Sequence, residues 1–273
     1  MKTNADLQAR YETIYKRGEE RHFSKFVEGQ NVSEAEAAVL ALGDWRGKSV
    51  LDIGCGTGSL VRKIRAAGAT RVVGVDYSAE AIKIARDRTD DDEICYVCSD
   101  FFAVDNETPF DVVVTLGTIE HMDDPQAFLV RVERLMSPKG KMLITCPHFI
   151  NIRGFVWMAL ALLQNVPMSL SDLHFVHPWQ MRGWAKAAGL AVESTRSVDH
   201  DRGNGAWLIR DFRKRLPNAL RDAGIGTAGV ESYLTHLQSL VDYMAQEAER
   251  YRLDGATALY VLSRDHGAVT AGK

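Results

Sequence analysis

The stretch Ser49-Val50-Leu51-Asp52-Ile53-Gly54-Cys55-Gly56-Thr57-Gly58 constrains this chain more than any other. A short apolar run, the signature of a buried strand, passes directly into three glycines on alternate positions. Gly54, Gly56 and Gly58 carry no Cβ, so they tolerate turn geometry and contact distances that other residues resist. A backbone turn of that kind can press closely on a ligand at the end of a strand.

Two classes of ligand compete for such a turn. A dinucleotide site asks for glycine or alanine at the sixth position of G-x-G-x-x-G, with a pyrophosphate on the helix N-terminus. Here the sixth position is Ser59, and Asp52 stands two residues before the first glycine. A carboxylate suits a phosphate bridge poorly, because like charges repel in a partly desolvated pocket. It suits a ligand that carries an ammonium and a sulfonium, as S-adenosylmethionine does. The segment closely resembles the first motif of class I S-adenosylmethionine-dependent methyltransferases of the small-molecule type. That resemblance implies an α/β fold: a Rossmann-like, seven-stranded, mostly parallel sheet with helices on both faces and a helical lid.

The alternation of elements agrees with it. From Lys48 onward, short β-branched runs alternate with helical stretches, the mark of a parallel sheet covered on both faces. Strands are expected at Ser49–Ile53, Arg71–Asp76, Ile94–Ser99, Asp111–Leu116, Lys141–Thr145, Leu190–Ser197 and Thr257–Ser263. Helices are expected at Leu60–Ala67, Ala79–Arg88 with Ser78 as N-cap, Gln126–Met136 and Trp179–Ala188. Pro138-Lys139-Gly140 reads as a turn. The whole chain, 1–273, reads as one domain, its core covering about 48–200 plus the last strand at about 257–263. A helical cover occupies 1–47, with Ser33 capping Glu34–Leu42. Inserts span about 149–178 and 203–252. The second carries a stripe of Leu234, Leu237, Val241, Met244, Ala248 and Tyr251 at helical spacing, a core-facing pattern. In the first, Gly154–Leu163 is apolar on nearly every face, so the helix is expected to be buried or to line an apolar cavity. His266–Lys273 reads as a frayed tail.

Composition narrows the partners. A net charge of −3 provides no basic field for a polyanion, which disfavours nucleic-acid substrates. Residues Met1–Asp6 lack the apolar core of a secretory signal, and the longest apolar run, Phe155–Leu163, is too short for a membrane span. A soluble cytoplasmic protein is expected. Cys55, Cys95, Cys98 and Cys146 suit a reducing compartment. Cys95 and Cys98 spell C-x-x-C, but in a strand residues three apart point to opposite faces, and no second pair completes a zinc site. Core packing is their expected role.

The resemblance carries over residue by residue. Asp52, Gly54, Gly56 and Gly58 form the donor turn. Asp76 closes the second strand, 18 residues after Gly58, where an ionised carboxylate accepts both ribose hydroxyls. Tyr77 and Ser78 flank the same ligand. After the third strand, Asp100 matches the acid for the adenine amino group and Phe101 the apolar neighbour of the ring. Leu116 and Gly117 open the loop under the methionine part, Leu116-Gly117-Thr118-Ile119-Glu120-His121. The cofactor implied is S-adenosylmethionine, leaving as S-adenosylhomocysteine, and the partner a small-molecule acceptor.

Methyl transfer requires alignment, exclusion of water and, for a hydroxyl or amine acceptor, removal of a proton. Histidine titrates near neutrality and is the natural base. The candidates are His121, His148, His174 and His177, with His121 first because it follows the fourth strand on the ligand side. A loop-shaping or donor-contact role for Glu120-His121 competes with it. Two further readings remain open. Some quinone-pathway O-methyltransferases and small-RNA 3′-end methyltransferases hold a divalent ion with E-x-x-E-H in this loop. Gly117 occupies the first glutamate position here, so a ligand is missing and no metal residue is assigned. The other reading is a non-catalytic S-adenosylmethionine-binding protein.

Overall fold

The structure is a computed structural model that describes residues 12–13, 15–16, 34–104, 108–166, 172–246 and 255–265. In chain order the helices are α1 (Glu34–Leu42), α2 (Ser59–Ala66), α3 (Ala79–Asp87), α4 (Pro125–Leu135) and α5 (Ile152–Gln164). They continue with α6 (Pro178–Ala187), α7 (His200–Asn204), α8 (Ala206–Asp222) and α9 (Val230–Gln246). The strands are β1 (Ser49–Ile53), β2 (Arg71–Asp76), β3 (Ile94–Cys98), β4 (Phe110–Leu116), β5 (Met136–Pro147), β6 (Leu190–Val198) and β7 (Thr257–Arg264).

Val50, Leu51, Val72, Val113 and Ile144 are buried along their strands. Strands that are apolar on both faces need helices above and below, and that demand selects the parallel arrangement. The sheet has seven strands in the order β3-β2-β1-β4-β5-β7-β6, with β7 antiparallel. β1 lies between β2 and β4, parallel to both, with Val50 level with Val72 and Val112. Chain order therefore reverses between β1 and β4, and in open α/β sheets the ligand crevice lies beyond the strand ends at that point.

Among the described residues the chain divides into two compact units. The first comprises stretches of Met1–Cys146, Pro178–Thr195 and Leu259–Lys273, and the second stretches of Pro147–His177 and Arg196–Ala258. In the first, one core cluster joins Val39, Trp45, Val61, Ile64, Ile82, Val114 and Leu259. β7 is tied into this unit by Arg264, which pairs with the Glu133 carboxylate and donates to Glu133 O at 2.8 Å and Met136 O at 3.0 Å. In the second, Trp157, Leu208, Phe212, Leu216, Leu234, Leu237 and Val241 form a separate core.

Several expectations change on contact with the structure. The turn expected at Pro138-Lys139-Gly140 lies inside β5. The pairing steps from Phe110↔Met136 to Val112↔Lys141, so an irregularity in the ladder absorbs the extra residues. Cys95 and Cys98 are exposed rather than packed in the core, because β3 is the outer strand of the sheet. Helix α5 is not buried all round: Gly154 and Trp157 are buried while Phe155, Leu162 and Leu163 are exposed. α8 escapes the periodicity reading because Arg210, Arg213, Lys214, Arg215 and Arg221 dilute an apolar stripe of Leu208, Ile209, Phe212 and Leu216. On α9, Leu234, Leu237 and Val241 are buried as their spacing requires, and Ala248 and Tyr251 lie outside the described residues. So do Ser33 and the tail from His266.

Candidate active site

The glycine turn follows β1 as the sequence requires. Gly54, Gly56 and Gly58 have φ of 75°, 53° and 73°, in the left-handed region that disfavours side chains. Space is as restrictive as the dihedral: a Cβ on Gly54 would stand 2.6 Å from Thr118 Oγ1, and one on Gly58 2.2 Å from Tyr96 Oη. The turn hangs on β2, since the N–H groups of Gly54 and Cys55 donate to Val75 O at 2.8 and 3.0 Å. Asp76 ties the other side. Its Oδ2 accepts from Gly56 N–H and its Oδ1 from Ser78 N–H, both at 2.9 Å. Ser78 is fully buried and caps α3 by accepting from Ala81 N–H at 3.2 Å. Tyr77 is half-buried beside it.

Two acids flank this turn, Asp52 buried and Asp76 half-buried. Asp52 is 2 % exposed, and loss of solvent followed by the negative charges of Asp76 and Glu36 pushes its carboxyl up to about 8. Asp76 is raised by burial as well, partly offset by the two N–H groups it accepts. Asp52 therefore keeps its proton at neutral pH unless a cation comes near. Burial pushes the Cys55 thiol well above its usual range, and the Asp76 carboxylate adds to that.

Beyond β3 and β4 the expected residues separate by role. Asp100 is exposed and caps a single 3-10 turn, its Oδ1 accepting from Phe102 N–H at 2.8 Å. Phe101 is 5 % exposed and packs edge-on against Phe128 at 5.2 Å, so it belongs to the core. The adjacent Phe102 is 45 % exposed, and it is the aromatic that faces outward at this strand end. Leu116 is half-buried. Gly117, at φ 62°, donates to Thr145 O at 3.0 Å. The loop continues into a 3-10 turn of Ile119–His121, in which Glu120 is buried and His121 half-buried, with Nε2 of His121 3.9 Å from Glu120 Oε1.

The four candidate histidines do not fall in one unit. His121 belongs to the first, and His148, His174 and His177 to the second. His148 is 3 % exposed, with Nδ1 3.2 Å from Gly255 O and its backbone N–H on Ala256 O. Its carbonyl accepts from Asn151 Nδ2 at 2.8 Å, a set of bonds suited to holding a chain junction. His177 stacks edge-on to Phe149 with 6.0 Å between centroids, and burial lowers its pKa below the usual histidine range. His174 is half-buried.

Some residues at the site escaped the sequence reading. Tyr96 and Thr118 stand under the glycine turn, marked only by their strand and loop positions. Glu12 reaches α3, and Tyr15 lies against Gly56. The neighbouring Tyr11 lies outside the described residues.

The sheet order, its switch point between β1 and β4 and an acid-flanked glycine turn there define a class: Rossmann-like proteins that bind a nucleoside-bearing cation. The domain family described as a methyltransferase domain matches residues 27–195, and the chain belongs to that family, as a class I S-adenosylmethionine-dependent methyltransferase. Curated relatives include the ubiquinone biosynthesis O-methyltransferase of Coxiella burnetii (strain Dugway 5J108-111), 29 % identical over 61 % of this chain and 74 % of its own. That of Klebsiella pneumoniae is 32 % identical over 50 % of this chain and 60 % of its own. Among solved structures, the methyltransferase complexed with the Trm112 activator of Haloferax volcanii superposes with a TM-score of 0.63, covering 94 % of this chain and 98 % of its own at 21 % identity. Magnesium protoporphyrin IX methyltransferase from Synechocystis, solved with bound S-adenosylhomocysteine, gives 0.54, covering 70 % and 92 % at 18 % identity. These structural likenesses establish the fold. The glycines let the turn pack directly against Thr118 and Tyr96, and the acids Asp52 and Asp76 lie at that turn.

Proposed function

We propose that this enzyme transfers the methyl group of S-adenosylmethionine to a small-molecule acceptor with aromatic or hydrocarbon surface. The observation that carries the donor half is the pair of acids, buried Asp52 and half-buried Asp76, gathered on a glycine turn at the switch point of the sheet. The ubiquinone-pathway names of the curated relatives support an aromatic acceptor. The four cysteines, each a free thiol, are compatible with a reducing, cytoplasmic setting. No helix among the described residues is long and apolar enough to cross a membrane.

Bound donor supplies a methyl carbon activated by a sulfonium leaving group. The chain's own residues do the rest. Asp76 accepts the ribose hydroxyls, Gly54 and Gly56 let the backbone approach, Asp52 answers the positive charge, and Asp100 with Phe102 borders the base. His121 takes the acceptor's proton at its imidazole, and Glu120 at 3.9 Å stabilises the imidazolium that results. Turnover with isotope-labelled donor and candidate phenols checks the reading. His121→Ala should lower the turnover number by about 10²–10⁴-fold while donor affinity changes little. A loss below about threefold would make His121 a loop residue and move the search to His148, His174 and His177.

The buried carboxylate of Glu120 beside His121 favours one second reading, assistance by a divalent ion. Gly117 stands where a further carboxylate would be needed, so activity after exhaustive chelation should equal that of untreated enzyme. Activity lost to EDTA and restored by magnesium would reverse that choice.

A further inference from the structure

Two side chains ahead of the sheet reach its ligand end, Tyr15 at the glycine turn and Glu12 at the start of α3, and neither belongs to any of the motifs above. Glu12 and Tyr15 lie in helical residues three positions apart, a spacing that puts both on one helix face. Glu12 Oε1 accepts from the N–H of Ala79, the first residue of α3, at 2.7 Å. Tyr15 Oη stands 3.0 Å from the point that a Cβ on Gly56 would occupy. Gly56 is the residue whose N–H is held by Asp76. Both side chains are half-buried.

This placement has two consequences. At Gly56 the Tyr15 hydroxyl is the atom that stands next to the position of the missing Cβ. A ligand crossing Gly56 must therefore touch the Tyr15 hydroxyl or displace it. Glu12, in turn, brings a second carboxylate toward Asp76, and its charge adds to what raises Asp76. The backbone N–H groups at Gly56, Ser78 and Ala79 satisfy one lone pair on each bonded oxygen, and Glu12 Oε2 takes no hydrogen bond from the described residues. Facing carboxylates repel unless donor groups lie between them. A ribose diol brings two O–H donors.

We propose that Glu12 and Tyr15 complete the donor site: Glu12 accepts one ribose hydroxyl alongside Asp76, and Tyr15 lays its hydroxyl on the donor where it crosses Gly56. The proposal rests on the reading that the glycine turn binds the donor. It gives Glu12 and Tyr15 each a role in binding the donor.

Calorimetric titration with S-adenosylhomocysteine and its 2′,3′-dideoxy analogue tests both contacts, with circular dichroism melting to confirm that each variant folds. Glu12→Ala should weaken S-adenosylhomocysteine binding by about tenfold, and that of the dideoxy analogue by less than about twofold. Tyr15→Phe should weaken both ligands alike, by roughly three- to tenfold. Tryptic cleavage after Lys16 should slow when S-adenosylhomocysteine is added. Equal losses of both ligands in Glu12→Ala would make Glu12 a scaffold for α3 and overturn the ribose contact. Unchanged affinity in Tyr15→Phe, or faster cleavage with ligand, would overturn the Tyr15 contact. Asp76→Ala is the control. If it too leaves affinity unchanged, the donor reading itself fails, whereas loss in Asp76→Ala alone sinks only the roles of Glu12 and Tyr15.

Discussion

Asp52 shows how much a single residue's surroundings alter its chemistry. On paper it is a carboxylate before a glycine turn. In the fold it is almost fully buried, beside Asp76 and Glu36, and its carboxyl is pushed up to about 8. The linkage has a definite sign. The folded value lies above the ordinary carboxylate value, so the folded protein binds more protons than the unfolded chain between about pH 4 and pH 8. Stability from this group is present at the acid end of that window and is lost as pH rises through it. Donor binding runs the other way, because a cationic ligand favours the ionised acid and binding must expel the proton. The dissociation constant for S-adenosylmethionine should fall from pH 6 toward pH 8, by up to about tenfold per unit, and level off above. Asp52→Asn should flatten that dependence. A titration series with a flat wild-type profile would show that Asp52 is not near the donor's charge. The same scale explains a correction. In Phe101-Phe102 the sequence names two equivalent aromatics, and only the 3-10 turn after Asp100 decides that Phe101 packs on Phe128 while Phe102 faces out.

At the scale of elements, periodicity was informative wherever one face is apolar and the other polar. The stripe on α9 is the cleanest case, with Leu234 wholly buried in the second unit's core. Leu234→Ala should destabilise that unit by about 2–5 kcal/mol, the cost of lost transfer energy plus a cavity, readable as a lower denaturant midpoint. A loss under about 0.5 kcal/mol would mean that the helix does not depend on this stripe. Where the pattern is blurred, reading failed for identifiable reasons. α8 hides its apolar stripe among five cations, two of which, Arg215 and Arg213, pair with Asp211 and Glu231. α5 has the opposite fault, since an almost wholly apolar sequence does not say which side faces the core. The contacts chose: the Arg153 and Arg215 guanidinium groups lie 4.4 and 4.5 Å from the Trp157 ring, which fixes that side inward. Burial of Arg153 lowers its pKa to about 10, and nearby Asp211 holds it charged.

For the whole molecule, the two compact units set the terms of any stability measurement. Every motif residue that binds donor in this reading lies in the first. S-adenosylhomocysteine at about one hundred times its dissociation constant should stabilise that unit by roughly 2.7 kcal/mol. Differential scanning calorimetry should accordingly show the transition that contains the first unit moving to higher temperature. An unshifted thermogram at saturating ligand would contradict binding at the glycine turn.

The sequence alone determined the class of fold, the order of its strands along the chain, the position of the glycine turn after β1 and the acid that ends β2. It did so because glycine dihedrals, β-branched runs and a charge before a turn are local properties, legible without knowing what packs against them. Tertiary structure decided what depends on neighbours distant in the chain. It set the proton on Asp52, the outward face of Phe102, the exposure of Cys95 and Cys98 on an outer strand, and the distribution of the histidines over two units. It also brought Tyr15 to Gly56 and Glu12 to Ala79, meetings that no periodicity or motif encodes, because they exist only once the chain has folded back on itself.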